Sequence, residues 1–260
     1  MIKIISGYSE KGGSTIALIE LTNELNKRGF DTIFFGPHQW HLDKCRSGLL
    51  DQNFVVNDDD ILITHYLQLP TRPAAKKVIL ACHEKWWFKV GTINQYWDTI
   101  VFLHEEHREY HKPFKGDSVI IPNLKPNLIP KEKKDLNLVA GIIGAIEERK
   151  QTHKSIQRAM ADGCVKIKIF GHISDQQYYQ KYVVPLLTEE VELMGFSDNK
   201  QEIYDSIGRV YHSSKGEVAC LVKDECYLTN TEFFGNEETN NLVSTLNNDE
   251  IIEKWLNLFE

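Results

Sequence analysis

Short apolar runs alternate with amphipathic helical patterns along most of the chain. In the first half these runs are continuously apolar; they are IKIIS (2–6), DTIFFG, ILITHY, KVILAC, TIVFL and SVIIP. Continuous apolar runs of this length are typical of parallel strands that helices cover on both faces. The first half therefore predicts a doubly wound α/β lobe.

The loop after the first run is rich in glycine. GYSEKGGS (7–14) precedes a helical pattern for which Ser14 is the predicted N-cap and Gly29 the predicted end. The loop is close to the phosphate-binding pattern G-x-x-x-x-G-K-[ST], but Gly13 stands at the lysine position. A helix start of this kind favours an anion. A tight turn that needs glycine explains the loop equally well.

The second half repeats the α/β alternation after a break. Segment 122–135 contains three prolines and four lysines without a helical or strand period, which indicates a linker. Strands are then predicted at NLVAGII, VKIKIF, VELMGF and RVYHSS, and the helix after the last strand at EVACLVKDECYL. We predict two Rossmann-type lobes facing a cleft, over 1–125 and 136–244, with a linker (126–135) and a final amphipathic helix (245–260).

Composition and charge narrow the class of protein. The chain has 260 residues, 42% hydrophobic and 26% charged, which excludes a fibrous or wholly disordered protein. Five scattered cysteines without a C-x-x-C pair predict a reduced, cytoplasmic protein with no disulfide frame. No secretory leader or membrane span is expected. Residues 1–125 carry 15 basic and 15 acidic side chains, so the net charge of −7 lies in 126–260, which argues against non-specific nucleic-acid binding there.

Two glutamates carry the most specific signal. Seven residues separate Glu217 from Glu225 in SSKGEVACLVKDEC, and on one helix this spacing gives about 12 Å of rise and ~80° of rotation. That is wider than the ~5–9.5 Å of a glycosidase carboxylate pair. The two carboxylates could bind two points of an extended polar ligand, or they could be two solvated helix residues.

The order of motifs along nearly the whole chain resembles glycosyltransferase family 4, the retaining enzymes of the GT-B fold. The resemblance rests on GIIGAIEERKQTHKSIQRAM, IKIFG, VELMGF and the segment with both glutamates, together with the Gly-Gly loop, the step from Asp60 to His65, His83-Glu84 and Ile121-Pro122-Asn123. It implies transfer of a sugar from a UDP- or GDP-sugar to a hydroxyl, without a cofactor or metal. It also implies that the helix around Trp255 returns to the first lobe.

The resemblance implies roles for the second-lobe residues. Glu217 would bind the donor sugar, Glu225 the ribose, and Lys150 the leaving diphosphate, whose growing charge a cation stabilises. Gly171 ends a strand that borders the donor. The family usually has arginine after the glycine of the lobe's first strand, whereas this chain has Ala145, and Arg149 is the expected substitute.

In the first lobe the resemblance places Gly12 and Gly13 in a loop near the donor and the acceptor, and His83 near the reacting sugar. Trp86 and Trp87 follow between lysines in KWWFKV. They could be core aromatics, a peripheral membrane contact, or a platform for an acceptor sugar or base. The acceptor is not identified, and a glycan, a lipid-linked glycan and a modified nucleic-acid base stay open.

Three histidines are spaced as a candidate metal site. His104, His107 and His111 would share one helix face and could bind zinc, but a solvated helix face is the interpretation that we favour. The run Asp58-Asp59-Asp60 precedes a strand and is interpreted as a turn. Two alternatives to a transferase remain at this stage: a GT-B protein that binds a nucleotide sugar without transferring it, and a ParA-like ATPase, which the absent P-loop lysine disfavours.

Overall fold

The computed structural model describes residues 1–8, 12–85, 90, 96–131, 136–239 and 244–260. They form two compact units, each with its own sheet. Unit 1 comprises Met1–Leu124 together with Ser244–Glu260, and unit 2 comprises Lys125–Val243. The chain therefore leaves unit 1 and returns to it at the C-terminal end. Among the described residues, no helix is both long enough and apolar enough to cross a membrane.

Unit 1 is built on a seven-stranded parallel sheet. Its strands are β1 (Ile2–Ser6), β2 (Thr32–Gly36), β3 (Ser47–Leu49), β4 (Ile61–His65), β5 (Lys77–Ala81), β6 (Thr99–Phe102) and β7 (Asp117–Ile120). Its helices are α1 (Gly13–Lys27), α2 (Glu105–His111) and the C-terminal helix α7 (Asn248–Asn257). Strands β1 and β6 are buried along their whole length, which explains why their sequences are continuously apolar.

The strand order of unit 1 is β3-β2-β1-β4-β5-β6-β7. This is the Rossmann order, in which successive strands are added on one side of β1 and then, from β4 onward, on the other. Ligands of such sheets bind beyond the carboxyl ends of the two strands at this switch point. In unit 1 those ends carry Ser6 and His65.

Helix α7 is part of the core of unit 1. It begins with a capping box in which the Asn247 side chain and the Glu250 side chain each bind the other residue's backbone N–H. Its apolar face is buried and packs with residues of α1 and β1; the residues on it are Ile251, Ile252 and Trp255.

Unit 2 repeats the same topology with five parallel strands. Its strands are β8 (Val139–Ile143), β9 (Lys166–Phe170), β10 (Val191–Gly195), β11 (Arg209–Tyr211) and β12 (Glu232–Phe234). Its helices are α3 (Thr152–Ala161), α4 (Gln176–Tyr178), α5 (Lys200–Asp205) and α6 (Leu221–Leu228). The order β10-β9-β8-β11-β12 places the switch point between β8 and β11.

The α/β class and every strand predicted from the sequence are confirmed, whereas two helix starts are wrong. Gly12 has an extended backbone and caps α1, so the predicted cap Ser14 lies inside the first turn. Gly29 follows that helix with φ +87°, which confirms the predicted end. Helix α6 begins at Leu221, so Glu217 lies in a loop and the predicted single helix through both glutamates is wrong.

Candidate active site

The switch point of unit 2 is shaped by two glycines. Gly144 follows β8 with φ +138°, and its N–H donates to the Phe170 carbonyl over 2.9 Å. A Cβ added to Gly171, which follows β9, would lie 1.8 Å from the Gly144 carbonyl oxygen. The backbones at the ends of β8 and β9 therefore approach as closely as two glycines allow. Gly171, expected beside the donor, is required here for packing.

Glu217 lies among cationic and polar groups at this switch point. Its Oε1 accepts a hydrogen bond from the Lys150 ammonium, and His212 Nε2 lies 2.9 Å from the same oxygen. The Glu217 side chain is only 10% exposed. Burial alone would raise the pKa of this carboxyl, but Lys150 and His212 lower the pKa well below its usual range. The fold therefore places one ionised carboxylate next to one ammonium in a site that largely excludes water.

The loop that carries Glu217 is tied to the loop that carries Lys150. The Lys215 N–H donates to the Arg149 carbonyl over 2.8 Å, and Arg149 Nη1 donates to the Gly216 carbonyl over 3.1 Å. The Ser214 hydroxyl also donates to the Gly216 carbonyl, over 3.0 Å. These bonds hold the loop in an irregular conformation, which is why the helix begins only at Leu221.

Two residues with left-handed backbone directly follow candidate site residues. Gln151, after Lys150, has φ +51°, and Tyr66, after His65, has φ +49°. Such conformations cost a non-glycine residue about 1–3 kcal/mol and cluster at functional sites. Both lie at the switch point of their own unit.

Glu225 is buried in α6 and has two partners. Its Oε2 accepts a hydrogen bond from the Tyr204 hydroxyl over 2.7 Å, and Lys200 Nζ lies 2.8 Å from its Oε1. The alternative that both glutamates are solvated helix residues is therefore wrong. His212, Lys200 and Tyr204 carried no recognisable sequence signal, because each reaches its glutamate from another element.

A concave surface adjoins the Glu217 loop within unit 2. The groove has a volume of about 730 Å³ and runs along α3; Gln151, Ser214 and Lys215 line it together with Lys154 and Arg158. Its size lies within the range of small-molecule sites. Gln151 and Lys215 neighbour Lys150 and Glu217 along the chain.

At the switch point of unit 1, three side chains form a continuous hydrogen-bonded row. The Ser6 hydroxyl lies 2.8 Å from His65 Nδ1, and His65 Nε2 lies 2.7 Å from Glu84 Oε1. Burial alone would raise the pKa of Glu84, but His65 and His83 lower it, so this carboxyl is an anion. Ser6 and His65 are fully buried, which makes the row a support and excludes Ser6 as an accessible nucleophile.

His83 stands beside this row. Its ring meets the His65 ring edge-on at 5.3 Å, and its backbone N–H donates to Glu84 Oε2 over 3.2 Å. Burial lowers the pKa of His83 to about 3, so the imidazole is neutral at physiological pH. Gly12 and Gly13 cap and open α1 in the same unit. Trp86 and Trp87 lie outside the described residues.

The histidines of α2 are not a solvated face, and that prediction is wrong. His107 and His111 are buried and their Nε2 atoms each lie 3.7 Å from the thiol of Cys82, whereas His104 caps the helix. A metal-bound imidazole carries its proton on the opposite nitrogen, which then donates to an acceptor. Here the Nδ1 atoms of His107 and His111 themselves accept from backbone N–H groups, so this donor set does not fit a metal.

Neither a protein-family model nor a curated protein sequence matches this chain. Solved structures do match in fold. HepE of Anabaena in complex with UDP-glucose superposes with a TM-score of 0.69 at 13% identity, over 98% of this chain and 88% of that one. WaaG, a glycosyltransferase of lipopolysaccharide biosynthesis, gives a TM-score of 0.67 at 9% identity over 100% and 90%.

A third match is a glycosyltransferase involved in avilamycin A biosynthesis, with a TM-score of 0.64 at 11% identity over 99% of this chain and 96% of that one. All three cover nearly the whole of both chains. The protein therefore has the two-lobe α/β fold of the GT-B glycosyltransferases, as the sequence resemblance implies.

Proposed function

We propose that this protein is a glycosyltransferase that moves a sugar from a nucleoside diphosphate sugar to a hydroxyl acceptor. The observation that carries the proposal is the ion pair of Lys150 and Glu217 at the switch point of unit 2, where open α/β sheets bind ligands. The fold supports it, because HepE was solved with UDP and with UDP-glucose.

The charges of this site suit departure of a diphosphate. Breaking the bond between sugar and diphosphate places negative charge on the leaving oxygens, which the Lys150 ammonium would stabilise more in the transition state than in the bound donor. Glu217 is held ionised, so it can accept hydrogen bonds from sugar hydroxyls and fix the ring beside Lys150. His212, bound to the same oxygen, would orient that carboxylate.

Glu225 would bind the ribose. Its Oε2 accepts a hydrogen bond from the Tyr204 hydroxyl, and its Oε1 faces the Lys200 ammonium. The ribose hydroxyls would replace the Lys200 ammonium at Oε1. Gly171 would border the donor through its backbone. This exchange keeps the buried carboxylate hydrogen-bonded in both states, as a buried charge requires.

Unit 1 would receive the acceptor. The neutral His83 imidazole can donate to and accept from hydroxyls, and the start of α1 at Gly12 and Gly13 offers backbone N–H groups to a phosphate. Trp86 and Trp87 remain proposed acceptor contacts. We propose transfer with retention and without metal or cofactor, to a glycan, a lipid-linked glycan or a nucleic-acid base; a cytoplasmic location and a peripheral membrane contact belong to the same proposal.

One observation favours a second candidate function, binding of a nucleotide sugar without transfer. Ala145 stands where an arginine is expected, and Arg149 already has several partners: Nη2 lies 2.7 Å from Glu147, and Nη1 donates to the Gly216 carbonyl and lies 4.0 Å from Glu217. Lys150 would then bind the diphosphate without the arginine that the resemblance leads us to expect beside it.

Release of nucleoside diphosphate from a panel of UDP- and GDP-sugars, with and without simple sugar acceptors, separates the candidates. A transferase releases it, and Lys150→Ala lowers kcat by about 10²–10³-fold. Lys181→Ala, an exposed lysine of unit 2, is the matched control and should leave kcat unchanged. Binding without release supports the second candidate, and neither binding nor release contradicts both.

A further inference from the structure

Two histidines outside the proposed reaction converge on one backbone atom. His107 and His111 are four residues apart in α2, and both side chains are buried. Their Nε2 atoms lie 2.9 Å and 2.8 Å from the carbonyl oxygen of Glu84. The Cys82 thiol, whose sulfur lies 3.6 Å from the same oxygen, is a third and weaker donor.

The opposite nitrogens determine where the protons lie. His107 Nδ1 accepts from the Leu103 N–H over 3.4 Å, and His111 Nδ1 accepts from the Val90 N–H over 3.2 Å. A nitrogen that accepts carries no proton, so each neutral ring must carry its proton on Nε2. Both rings are therefore donors to the Glu84 carbonyl, and all four ring nitrogens are hydrogen-bonded.

We propose that His107 and His111 are positioning residues of the acceptor site, and that as neutral Nε2–H imidazoles they fix the His83-Glu84 segment through the Glu84 carbonyl. For its kinetic consequence this inference rests on the proposed function. The structural part of the inference, namely the two tautomers and their hydrogen bonds to the Glu84 carbonyl, does not rest on the proposed function.

The contact of the two histidines with the Glu84 carbonyl is linked by further hydrogen bonds to the switch point of unit 1. Once its carbonyl is held, Glu84 can direct its carboxylate onto His65, which in turn contacts Ser6 at the end of β1. The Ser6 hydroxyl also accepts from the Tyr8 N–H over 3.2 Å, at the start of the glycine loop. Helix α2 thereby sets the place of the His83 ring, which sits edge-on against His65.

Residue type explains why histidine occupies these positions. A leucine at either position would fill a similar volume but would remove one of the two imidazole donors that hold the Glu84 carbonyl. A protonated histidine could not accept from the Leu103 or Val90 amide. Among the described residues, the titratable groups that face the pair are Cys82, His83 and Glu84, which follow β5, and His104 and Tyr110 of the α2 segment.

Histidine NMR tests the inference directly. In ¹⁵N-histidine protein, long-range ¹H–¹⁵N correlations should show His107 and His111 with protonated Nε2 and bare Nδ1 from pH 6 to pH 8. Addition of Zn²⁺ after EDTA treatment should leave these signals unchanged. A proton on Nδ1, or stoichiometric binding of Zn²⁺ by these rings, overturns the proposal.

Variants test what the pair holds. His111→Leu should shift the signals of His65 and His83, and His111→Gln, which keeps a donor at the Nε2 position, should restore them in part. Glu106→Ala, an exposed position on the same helix, is the matched control and should move neither. Unchanged His65 and His83 signals in both folded His111→Leu and folded His107→Leu overturn the proposal.

Kinetics separates this inference from the proposed function. We expect His111→Leu to lower the transfer kcat by up to about 100-fold, as a small misplacement of a reacting group does. The donor KM and UDP binding should stay unchanged, because unit 2 is untouched. A transfer kcat equal to wild type overturns the positioning role. If the wild type transfers no sugar, the proposed function fails while the NMR test still decides on the pair.

Discussion

The Lys150 ammonium and the Glu217 carboxylate meet at the switch point of the second sheet, although they lie 67 positions apart in sequence. Each depends on the other, because a buried charge that loses its partner costs more than the pair contributes. The same ion pair therefore bears on the stability of unit 2 and on the chemistry that we propose for it.

Replacement of Glu217 by glutamine should destabilise unit 2. The change keeps the side chain's shape but leaves Lys150 without its counter-charge, so the free energy of unfolding should fall by about 3 kcal/mol. Because all five tryptophans fall in unit 1, tryptophan fluorescence reports the unfolding of that unit alone. Far-UV circular dichroism reports both units, so earlier unfolding of unit 2 in urea would be seen in the circular dichroism and not in the fluorescence. The exposed Glu189→Gln should stay within about 0.5 kcal/mol of wild type.

The same variant should change the response to acid. The pKa of Glu217 is lowered in the folded protein, so its contribution is complete above the ordinary glutamate pKa and is lost as the pH falls below it. The difference in melting temperature between wild type and Glu217→Gln should therefore be constant from pH 7 to about pH 5 and should narrow as the pH falls further to pH 3. A constant difference across the whole range would show that the carboxylate is not stabilised by its partners.

Asp224 should make stability depend on pH in the opposite direction from Glu217. Burial raises its pKa to about 6, so ionisation of this carboxyl opposes folding, and stability falls as the pH rises from about 4 through 6. Asp224→Asn removes the ionisation. We expect the variant to melt higher than wild type at pH 8 and to lose that advantage at pH 4, while the exposed Glu189→Gln shows no such crossover. A variant less stable than wild type at pH 8 would contradict this environment.

Gly171→Ala should disrupt unit 2. The new Cβ would lie 1.8 Å from a backbone oxygen of Gly144, which cannot move aside as a side chain would. Overpacking of this kind costs about 3 kcal/mol or more. Gly163→Ala is the matched control, because Gly163 has φ +76° and open space around its Cβ position, so only about 1–2 kcal/mol of backbone strain is expected. Equal losses in the two variants would refute the close approach.

Trp255→Ala should destabilise unit 1. The indole is buried in the core that α7 shares with α1, and loss of a buried tryptophan costs about 3–5 kcal/mol. Urea unfolding followed by the fluorescence of the remaining tryptophans should shift to lower urea. Glu253→Ala, exposed on the same helix, should leave the midpoint in place. An unshifted midpoint for Trp255→Ala would mean that α7 contributes little to this core.

The central strands could be predicted from the sequence because burial on both faces makes them continuously apolar. The edge strands β3 and β12 could not, since each has only three residues and none of them is buried, whereas the equally short β11 has two buried residues. The start of α6 was missed for a different reason. The loop around Glu217 is held by hydrogen bonds to Arg149, and contacts between distant segments leave no local signal.

The candidate site also contains residues that the sequence predicted and residues that it could not predict. The spacing of Glu217 and Glu225 pointed to a ligand site, but their partners His212 and Lys200 come from other elements. The spacing of His104, His107 and His111 predicted one shared helix face, which is correct for His107 and His111, whereas His104 is the N-cap. Whether that face meets water or the Glu84 carbonyl depends on the chain around β5, more than 20 residues earlier.

The most direct test of the proposed donor site is calorimetric titration of the folded protein with UDP, UDP-glucose and the corresponding GDP compounds. We predict saturable binding of at least one nucleotide sugar to wild type. Glu217→Gln should bind that sugar nucleotide at least about tenfold more weakly, the equivalent of one lost charged hydrogen bond, while binding the free diphosphate as wild type does. Binding of no panel member, or equal affinity of both proteins for the sugar nucleotide, would contradict a donor site at Lys150 and Glu217.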